Sequence, residues 1–309
     1  MQDGSKRAII AAFFANLGIA VSKLVGFLLT GSAGLAAESV HSLADTANQG
    51  LLLLGSRRAV RPRDAEHPFG HSRERFFWAF IVALILFSMG GMFALYEGIQ
   101  KLRHPHETEN LGIALAILGV AIVLEGFSLR TALRETAHVK PAGQSHWRFI
   151  RSAKQPELPT VLLEDIAAQA GLVIAFIGVL VGHLTHEPRW DAAGSVAIGI
   201  LLIVVAVILG VEMKSLLMGE TAGPDDLRAL DTALRGSRHV IDVIYMHTEH
   251  LGPDVILVAA KVIFDPALPA AEVSRAIDDA EARMRAAVPA ARHIFLEPDM
   301  ARPGQVPPA

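Results

Sequence analysis

The sequence contains no cysteine, and only 19% of its 309 residues are charged. The absence of cysteine excludes disulfides, thiolate metal sites and cysteine redox chemistry, and it leaves the compartment undetermined. Aromatic residues are also few, at 6%, whereas hydrophobic residues make up 52% of the chain and the mean hydropathy is +0.40. This composition predicts several helices that cross a lipid bilayer. The formal net charge of −3 gives no reason to expect nucleic acid as a partner.

Six apolar stretches have the length of a membrane-spanning helix, at 8–30, 33–56, 76–100, 110–132, 159–184 and 192–216. Each holds about 20 residues or more, which is enough to cross a hydrocarbon core of about 30 Å. The first stretch is too long for the core of a cleaved signal peptide, so we expect a retained helix. The sequence therefore predicts a membrane bundle of six transmembrane helices.

Basic residues predict the orientation of this bundle. If the N-terminus is cytoplasmic, the inner connections carry fourteen lysines and arginines and the outer connections carry three. The positive-inside rule then predicts that both termini are cytoplasmic. We expect a multi-pass protein of the cell (inner) membrane.

The composition changes after Gly219, where amphipathic helices alternate with strands. We predict helices at 224–236 and 270–287 and strands at 240–250, 254–264 and 291–297. This αββαβ order is typical of a small α+β, ferredoxin-like domain. The predicted division is a membrane domain at 1–219, a cytoplasmic C-terminal domain at 220–300 and a disordered, proline-containing tail at 301–309.

The second predicted span contains His41 and Asp45, which lie four residues apart. On a helix they share one face, with Cβ atoms about 5–6 Å apart, so an imidazole nitrogen and a carboxylate can reach one divalent cation. The alternative is a polar seam between packed helices. A charged carboxylate near the centre of a span costs about 2.5–3.5 kcal/mol, which favours the metal site. Asn48 and Gln49 follow on the next turn.

The fifth predicted span contains the acidic pair Glu164 and Asp165, followed by Gln169. Buried carboxylates without a basic partner need a cation or protons, because charge is disfavoured in a low dielectric. The alternative is that the pair is solvated at the cytoplasmic end of the span. Asp165 and Gln169 share a helix face, so this span and the second one predict two polar helices in one bundle.

A third candidate site lies in the loop after the second span. Asp64, His67 and His71 are spaced three and four residues apart around a Pro-Phe-Gly turn, which is plausible for a second metal site. The alternative is a tight turn whose histidines and neighbouring arginines meet lipid headgroups.

These motifs together resemble those of the cation diffusion facilitators. The similar segments are H-S-x-x-D at 41–45, D-x-x-H-P-F-G-H at 64–71 and Leu-Leu-Met-Gly at 216–219, and the resemblance covers nearly the whole chain. It implies a homodimeric antiporter that exchanges cytoplasmic Zn²⁺, or a related ion such as Fe²⁺, Co²⁺ or Mn²⁺, for protons, with no prosthetic group. It also implies that His41, Asp45 and Asp165 bind the transported ion, and that the 64–71 motif forms a loop site.

Two features depart from the usual family pattern. Val161 occupies a position where members usually have His or Asp, and the L-L-E-D-x-A-A run resembles a branch that includes the mitochondrial zinc transporters of animals. The fourth ligand is then Glu164, a water or a side-chain amide, and we favour Glu164. In the C-terminal domain, Lys261, Phe295 and Glu297 stand where well-studied members have His and Asp ligands, which departs from the family's metal-binding pattern. The dimerising role that the resemblance implies for this domain does not depend on those ligands.

Two other classes of function are consistent with a membrane metal site. A membrane metalloenzyme, such as a hydrolase, would need an open coordination position and a general base. Its usual H-E-x-x-H motif does not occur in the sequence. A non-transporting metal sensor or scaffold would act through the C-terminal domain.

Overall fold

The computed structural model describes residues 3–105, 108, 110–140 and 143–300, with side chains from residue 17 onward. The predicted tail at 301–309 lies outside the described residues. The chain divides into two compact units, one formed by 1–57 with 77–214 and the other by 58–76 with 215–309. The predicted division at 219 did not group the 58–76 loop with the C-terminal residues.

The first unit is helical throughout its described part. Its elements are α1 (Asp3–Thr30), α2 (Ala33–Ala59), α3 (Glu74–Ile85), a π-helical segment (Leu86–Met92), α4 (Phe93–Arg103), α5 (Leu111–Val139), α6 (His146–Ser152), α7 (Glu157–Thr185) and α8 (Arg189–Met218). Pro159 lies in the first turn of α7, where its missing N–H has no helical partner to lose. Asp165 is therefore about two turns into the helix.

Four helical stretches in the described part are long and apolar enough to cross a membrane: Glu74–Arg103, Leu111–Val139, Glu157–Thr185 and Arg189–Met218. They coincide with the third to sixth predicted spans. Leu17–Thr30 forms a shorter apolar stretch within α1. α2 matches the second predicted span in position, but Glu38, His41 and Asp45 reduce its hydropathy. The described helices thus support an integral membrane protein, and the count of six spans stays a prediction.

The second unit contains a three-stranded sheet. Its elements are α9 (Pro224–Arg235), β1 (Val240–Gly252), β2 (Val255–Phe264), α10 (Ala270–Ala287) and β3 (Ala291–Pro298). The strand order is β1-β2-β3, with β1 antiparallel and β3 parallel to β2. The parallel pair is joined through α10, as such a pair requires a crossover. The predicted αββαβ order is confirmed.

Alternate residues of β2 are buried, and they form the face of the sheet that packs against the helices. Ile256, Val258, Ala260, Val262 and Phe264 alternate along the strand and are all buried. They pack with α9 and α10 in a single apolar cluster. The predicted alternation of this strand is therefore correct.

The 58–76 loop belongs to the second unit through specific side-chain contacts. Arg73 pairs with Glu249, and Arg75 Nη1 lies 2.8 Å from Asp254 Oδ2. Phe69 meets the ring of His293 edge-on, with 5.2 Å between ring centroids. Two of the loop arginines considered for lipid headgroups thus pair with carboxylates of the β1–β2 hairpin.

A buried carboxylate organises the N-terminus of α2. Asp191, 2% exposed, accepts hydrogen bonds from Ser32 Oγ, the backbone amides of Ala33 and Gly34, Lys101 Nζ and Thr108 Oγ1. The amides are those that a helix start leaves without intrahelical partners. The Lys101 ammonium lies 2.7 Å from Asp191 Oδ2. This single side chain therefore neutralises a lysine and caps a helix.

We expect Asp191→Ala to lower the free energy of unfolding by about 3–5 kcal/mol, because it leaves a buried lysine without its charge partner. Thermal unfolding of the full chain in detergent micelles measures the change. The control is Asp231→Ala, which removes an exposed partner of Arg235. Equal melting temperatures for the two variants would contradict this assignment.

Candidate metal centre

His41 and Asp45 lie together on α2 as their spacing predicts. His41 Nε2 is 3.4 Å from Asp45 Oδ2, and His41 is fully buried. Two ligands of a tetrahedral zinc with bonds of 2.0–2.1 Å are about 3.3 Å apart. Within the described residues neither imidazole nitrogen has a hydrogen-bond partner. Since buried polar atoms are normally paired, this histidine is suited to a ligand that the protein alone does not supply.

Glu164 and Asp165 approach this region from α7, but they contact different neighbours. Glu164 Oε1 accepts a hydrogen bond from Asn48 Nδ2 of α2 at 2.8 Å. Asp165 Oδ2 accepts one from Ser128 Oγ of α5 at 3.1 Å. Adjacent helical residues are turned by about 100°, which explains the divergence.

A small cavity of about 40 Å³ connects these carboxylates. A cavity of this size exceeds the roughly 10–15 Å³ that one water needs, so it has room for a cation. Its lining residues come from α1, α2, α5 and α7 and are Ile19, Ser42, Asp45, Gln49, Glu125, Ser128, Val161, Glu164 and Asp165. His41 adjoins the cavity through Asp45, whereas Gln169 is outside this lining set in the described chain.

The carboxylates are close but not yet arranged around one point. Among the described residues, only the loop triad has three potential ligand atoms that all lie within 4.8 Å of one another. The membrane residues His41, Asp45, Glu164 and Asp165 therefore need side-chain rotations to bind one ion. Such rotations would replace the hydrogen bonds of Glu164 with Asn48 and of Asp165 with Ser128 by bonds to the ion.

The π-helical segment passes next to His41. A Cβ atom added to Gly90 would lie 3.9 Å from His41 Nδ1, and one added to Gly91 would lie 2.6 Å from Ile203 Cγ1. Gly91 therefore allows the close approach of this segment to α8. π-Helical turns occur frequently at functional sites, in agreement with the position of this one.

Two charged residues at or beside the cavity, Glu125 and Lys23, are not among the ligands predicted from the sequence. Glu125 lines the cavity, although the sequence alone does not separate it from a packing residue. Lys23 of α1 is fully buried and donates hydrogen bonds to Ser42 and Glu38. The sequence indicates a role for Lys23 through its position as a lone lysine within an apolar stretch, since ionisable residues inside membrane spans are usually functional.

The loop triad is already assembled. Asp64 Oδ1 lies 3.1 Å from His67 Nδ1, and Asp64 Oδ2 lies 3.5 Å from His71 Nε2. Asp64 Oδ1 also accepts hydrogen bonds from the backbone amides of Glu66 and His67, which forms the turn. Gly70 has φ +90°, a conformation that other residues adopt at a cost.

The electrostatics of this loop favour a cation. The hydrogen bond from the His67 amide, followed by the nearby imidazoles, lowers the pKa of the exposed Asp64 carboxyl. Asp64 is therefore ionised at neutral pH and offers a carboxylate beside two imidazoles. The predicted members of this site are close enough to share one ion.

The C-terminal positions that depart from the family pattern hold an ion pair. Lys261 Nζ lies 3.0 Å from Asp299 Oδ2 and 3.3 Å from Glu297 Oε1. The hydrogen bond to Asp299, with that to Glu297, raises the pKa of Lys261. Phe295 is 55% exposed. The ammonium group of Lys261 therefore lies beside the carboxylates of Glu297 and Asp299.

Comparison with known proteins assigns the chain to a family. Residues 9–218 match the cation efflux transmembrane domain. The chain belongs to the cation efflux family. This result confirms the resemblance to the cation diffusion facilitators and makes the chain a member of a transporter family rather than an enzyme family.

Three relatives of the chain illustrate its similarity to known proteins. The mitochondrial proton-coupled zinc antiporter SLC30A9 of Mus musculus is 32% identical over 85% of this chain and 46% of its own length. Metal tolerance protein C4 of Arabidopsis thaliana is 32% identical over 84% of this chain and 57% of its own. Magnetosome protein MamB of Magnetospira sp. is 25% identical over 80% and 78%. The chain spans about half the length of the first two relatives.

We expect His67→Ala combined with His71→Ala to reduce the zinc bound per chain by one ion, because Asp64 alone cannot hold it. Equilibrium dialysis of the full-length protein against buffer containing free zinc, followed by elemental analysis of both sides, measures this number. Glu66→Ala is the control, since this exposed acidic residue lies in the same loop but outside the triad. An unchanged zinc content in the double variant would rule out the loop site.

Proposed function

We propose that the protein is a proton-coupled antiporter that exports divalent metal cations, with zinc as the main substrate. The observation that carries the proposal is the fully buried His41, whose Nε2 lies 3.4 Å from Asp45 Oδ2 and whose ring nitrogens have no hydrogen-bond partner within the described chain, beside a cavity with further carboxylates. The similarity of the chain to a proton-coupled zinc antiporter supports the same activity.

The exchange follows from the chemistry of the ligands. A metal ion needs the lone pairs of a neutral imidazole and of ionised carboxylates, and protons compete for the same lone pairs. We assign His41, Asp45 and Asp165 as ligands of the transported ion. Binding of a cation then releases protons, and protonation from the opposite side releases the cation.

The fourth ligand in this proposal is Glu164. Its carboxylate is buried and lines the same cavity as Asp45 and Asp165, and its Oε1 accepts a hydrogen bond from the Asn48 amide. Val161 also lines the cavity but has no atom that can coordinate. Gln49 is the amide that the cavity offers, whereas Gln169 is not among its described lining residues.

The remaining assignments follow the sequence pattern. We propose that Asp64, His67 and His71 bind a second cation at a wetter and weaker site that assists uptake from the cytoplasm. We also propose cytoplasmic termini, a location in the cell (inner) membrane, and a homodimer paired through the C-terminal domains. The positive-inside bias and the family resemblance support these proposals.

The test is transport by the purified full-length protein in proteoliposomes. Zinc uptake is followed with an internal fluorescent indicator, with and without an imposed pH gradient, and internal pH is recorded in parallel. A proton-coupled antiporter takes up zinc faster when the proton gradient is directed outward, and the internal pH rises as protons leave in exchange for zinc. A non-transporting sensor or scaffold would bind zinc without moving it, and that result would overturn the proposal.

We expect Asp45→Ala and His41→Ala each to reduce zinc-dependent proton exchange by at least about tenfold, because each removes one of the four donors that a tetrahedral site needs. Both variants should remain folded and inserted. The matched control is Glu97→Gln, which neutralises a carboxylate on α4 outside the cavity. Exchange at the parental rate in Asp45→Ala would exclude this assignment.

We expect Glu164→Gln to weaken zinc binding at the membrane site by about tenfold and to shift the pH dependence of transport, because an amide is a weaker donor than a carboxylate. Gln169→Ala should have a much smaller effect. Zinc titrations of both variants by calorimetry decide the matter. If only Gln169→Ala binds more weakly, the fourth donor is an amide.

A further inference from the structure

Lys23 is an unusual residue in its surroundings. It lies in the apolar stretch Leu17–Thr30 of α1, and its side chain has no exposed surface. Burying an ammonium group is costly unless the charge is paired. The contacts of Lys23 therefore indicate what the charge is used for.

The ammonium group of Lys23 adjoins the wall of the metal cavity. Lys23 Nζ lies 2.6 Å from Ser42 Oγ and 3.1 Å from Glu38 Oε2, both on α2, and 3.8 Å from Glu125 Oε1 on α5. Ser42 and Glu125 both line the cavity that also contains Asp45. Ser42 directly follows His41 in the chain. The positive charge thus faces the site rather than a separate part of the bundle.

The Lys23–Glu38 pair differs from the other fully buried lysine pair of the described helices. Asp191, the partner of Lys101, accepts hydrogen bonds from five groups. In contrast, Glu38 Oε1 has no hydrogen-bond partner in the described part of the chain. The Lys101 pair is saturated, as a structural pair should be, whereas the Lys23 pair is not.

The Lys23–Glu38 pair also lies close to α7, because Glu38 contacts this helix at Gly171. A Cβ atom added to Gly171 would lie 2.4 Å from Glu38 Oε1. The glycine therefore provides the space that the Glu38 carboxylate occupies. Glu38 therefore approaches α7 with Oε1 and Lys23 with Oε2, while the same ammonium contacts Ser42 and Glu125.

We propose that Lys23 is an internal counter-cation of the metal site, and this inference rests on the proposed function. Without a metal ion, its fixed positive charge offsets part of the negative charge of Asp45, Glu125, Glu164 and Asp165. When a dication arrives, the same charge opposes it. Lys23 therefore limits the affinity of the site, which a transporter needs because a bound ion must also leave.

Glu38 is the positioning partner in this arrangement. Its carboxylate cancels much of the lysine charge and holds the ammonium at the cavity wall. Removing Glu38 should leave more positive charge facing the site, and removing Lys23 should leave less. The two substitutions therefore have opposite effects on metal affinity, which a merely structural ion pair would not produce.

The experiment is a zinc titration by calorimetry of full-length protein in detergent, with all variants carrying His67→Ala and His71→Ala to remove the loop site. We expect Lys23→Met to bind zinc about tenfold more tightly and Glu38→Gln about tenfold more weakly, as expected for a unit charge acting through a protein interior. Weaker or unchanged binding by a folded Lys23→Met would overturn the inference.

A second comparison protects the test against misfolding. Glu38→Gln and the double variant Lys23→Met/Glu38→Gln differ only in the lysine, so the double variant should bind zinc at least about tenfold more tightly than Glu38→Gln. Equal affinities would overturn the inference. Lys101→Met is the matched control and should lower the melting temperature without changing the zinc affinity. A similar gain in affinity in Lys101→Met would show that loosening of the bundle, rather than charge, causes the effect.

Different results would overturn the proposed function and the counter-cation role of Lys23. If the parent without the loop histidines binds no zinc, cobalt or manganese, the proposed function fails and this inference fails with it. If the parent binds zinc and the affinity does not respond to Lys23, only the counter-cation role is lost.

Discussion

The cost of burying charge in an apolar bundle is the constraint on which this structure depends. A charged group in a low dielectric needs a partner of opposite charge or enough hydrogen bonds. Asp191 meets this requirement with Lys101 and four further donors. The cavity carboxylates are less fully compensated: among the described residues, Lys23 Nζ lies 3.8 Å from Glu125 Oε1, whereas Glu164 and Asp165 accept hydrogen bonds from the uncharged side chains of Asn48 and Ser128. This excess of negative charge is what makes a mobile cation, metal ion or proton, the natural complement of the site.

Short-range spacing could be interpreted correctly from the sequence. His41 and Asp45 are four residues apart on one helix, so the regular geometry of that helix sets their separation. Asp64, His67 and His71 are similarly close in the chain, and the turn that joins them is formed by Asp64 itself. The alternation of β2 predicted its buried face for the same reason. In each case the deciding interactions are local.

Interactions between distant segments could not be predicted in this way. Glu164 and Asn48 are 116 residues apart, and their hydrogen bond depends on how α2 and α7 are rotated about their axes. Lys23 and Glu125 meet only because α1 packs next to α5. The pairing of Arg73 with Glu249 likewise needs the 58–76 loop to contact β1. A pattern along one helix contains no information on these rotations.

We propose that zinc selectivity depends on His41, because of the donor set of the cavity. Carboxylates suit Mg²⁺, Ca²⁺ and Mn²⁺, whereas imidazole suits zinc and iron. With Val161 at the cavity wall, the described lining residues supply only oxygen ligands, from Asp45, Glu125, Glu164, Asp165 and Gln49. The imidazole of His41 is the nitrogen ligand that adjoins them, and both of its nitrogens are free of hydrogen bonds within the described chain. In the proposed site, the imidazole of His41 thus discriminates between cations, while the carboxylates set the total charge.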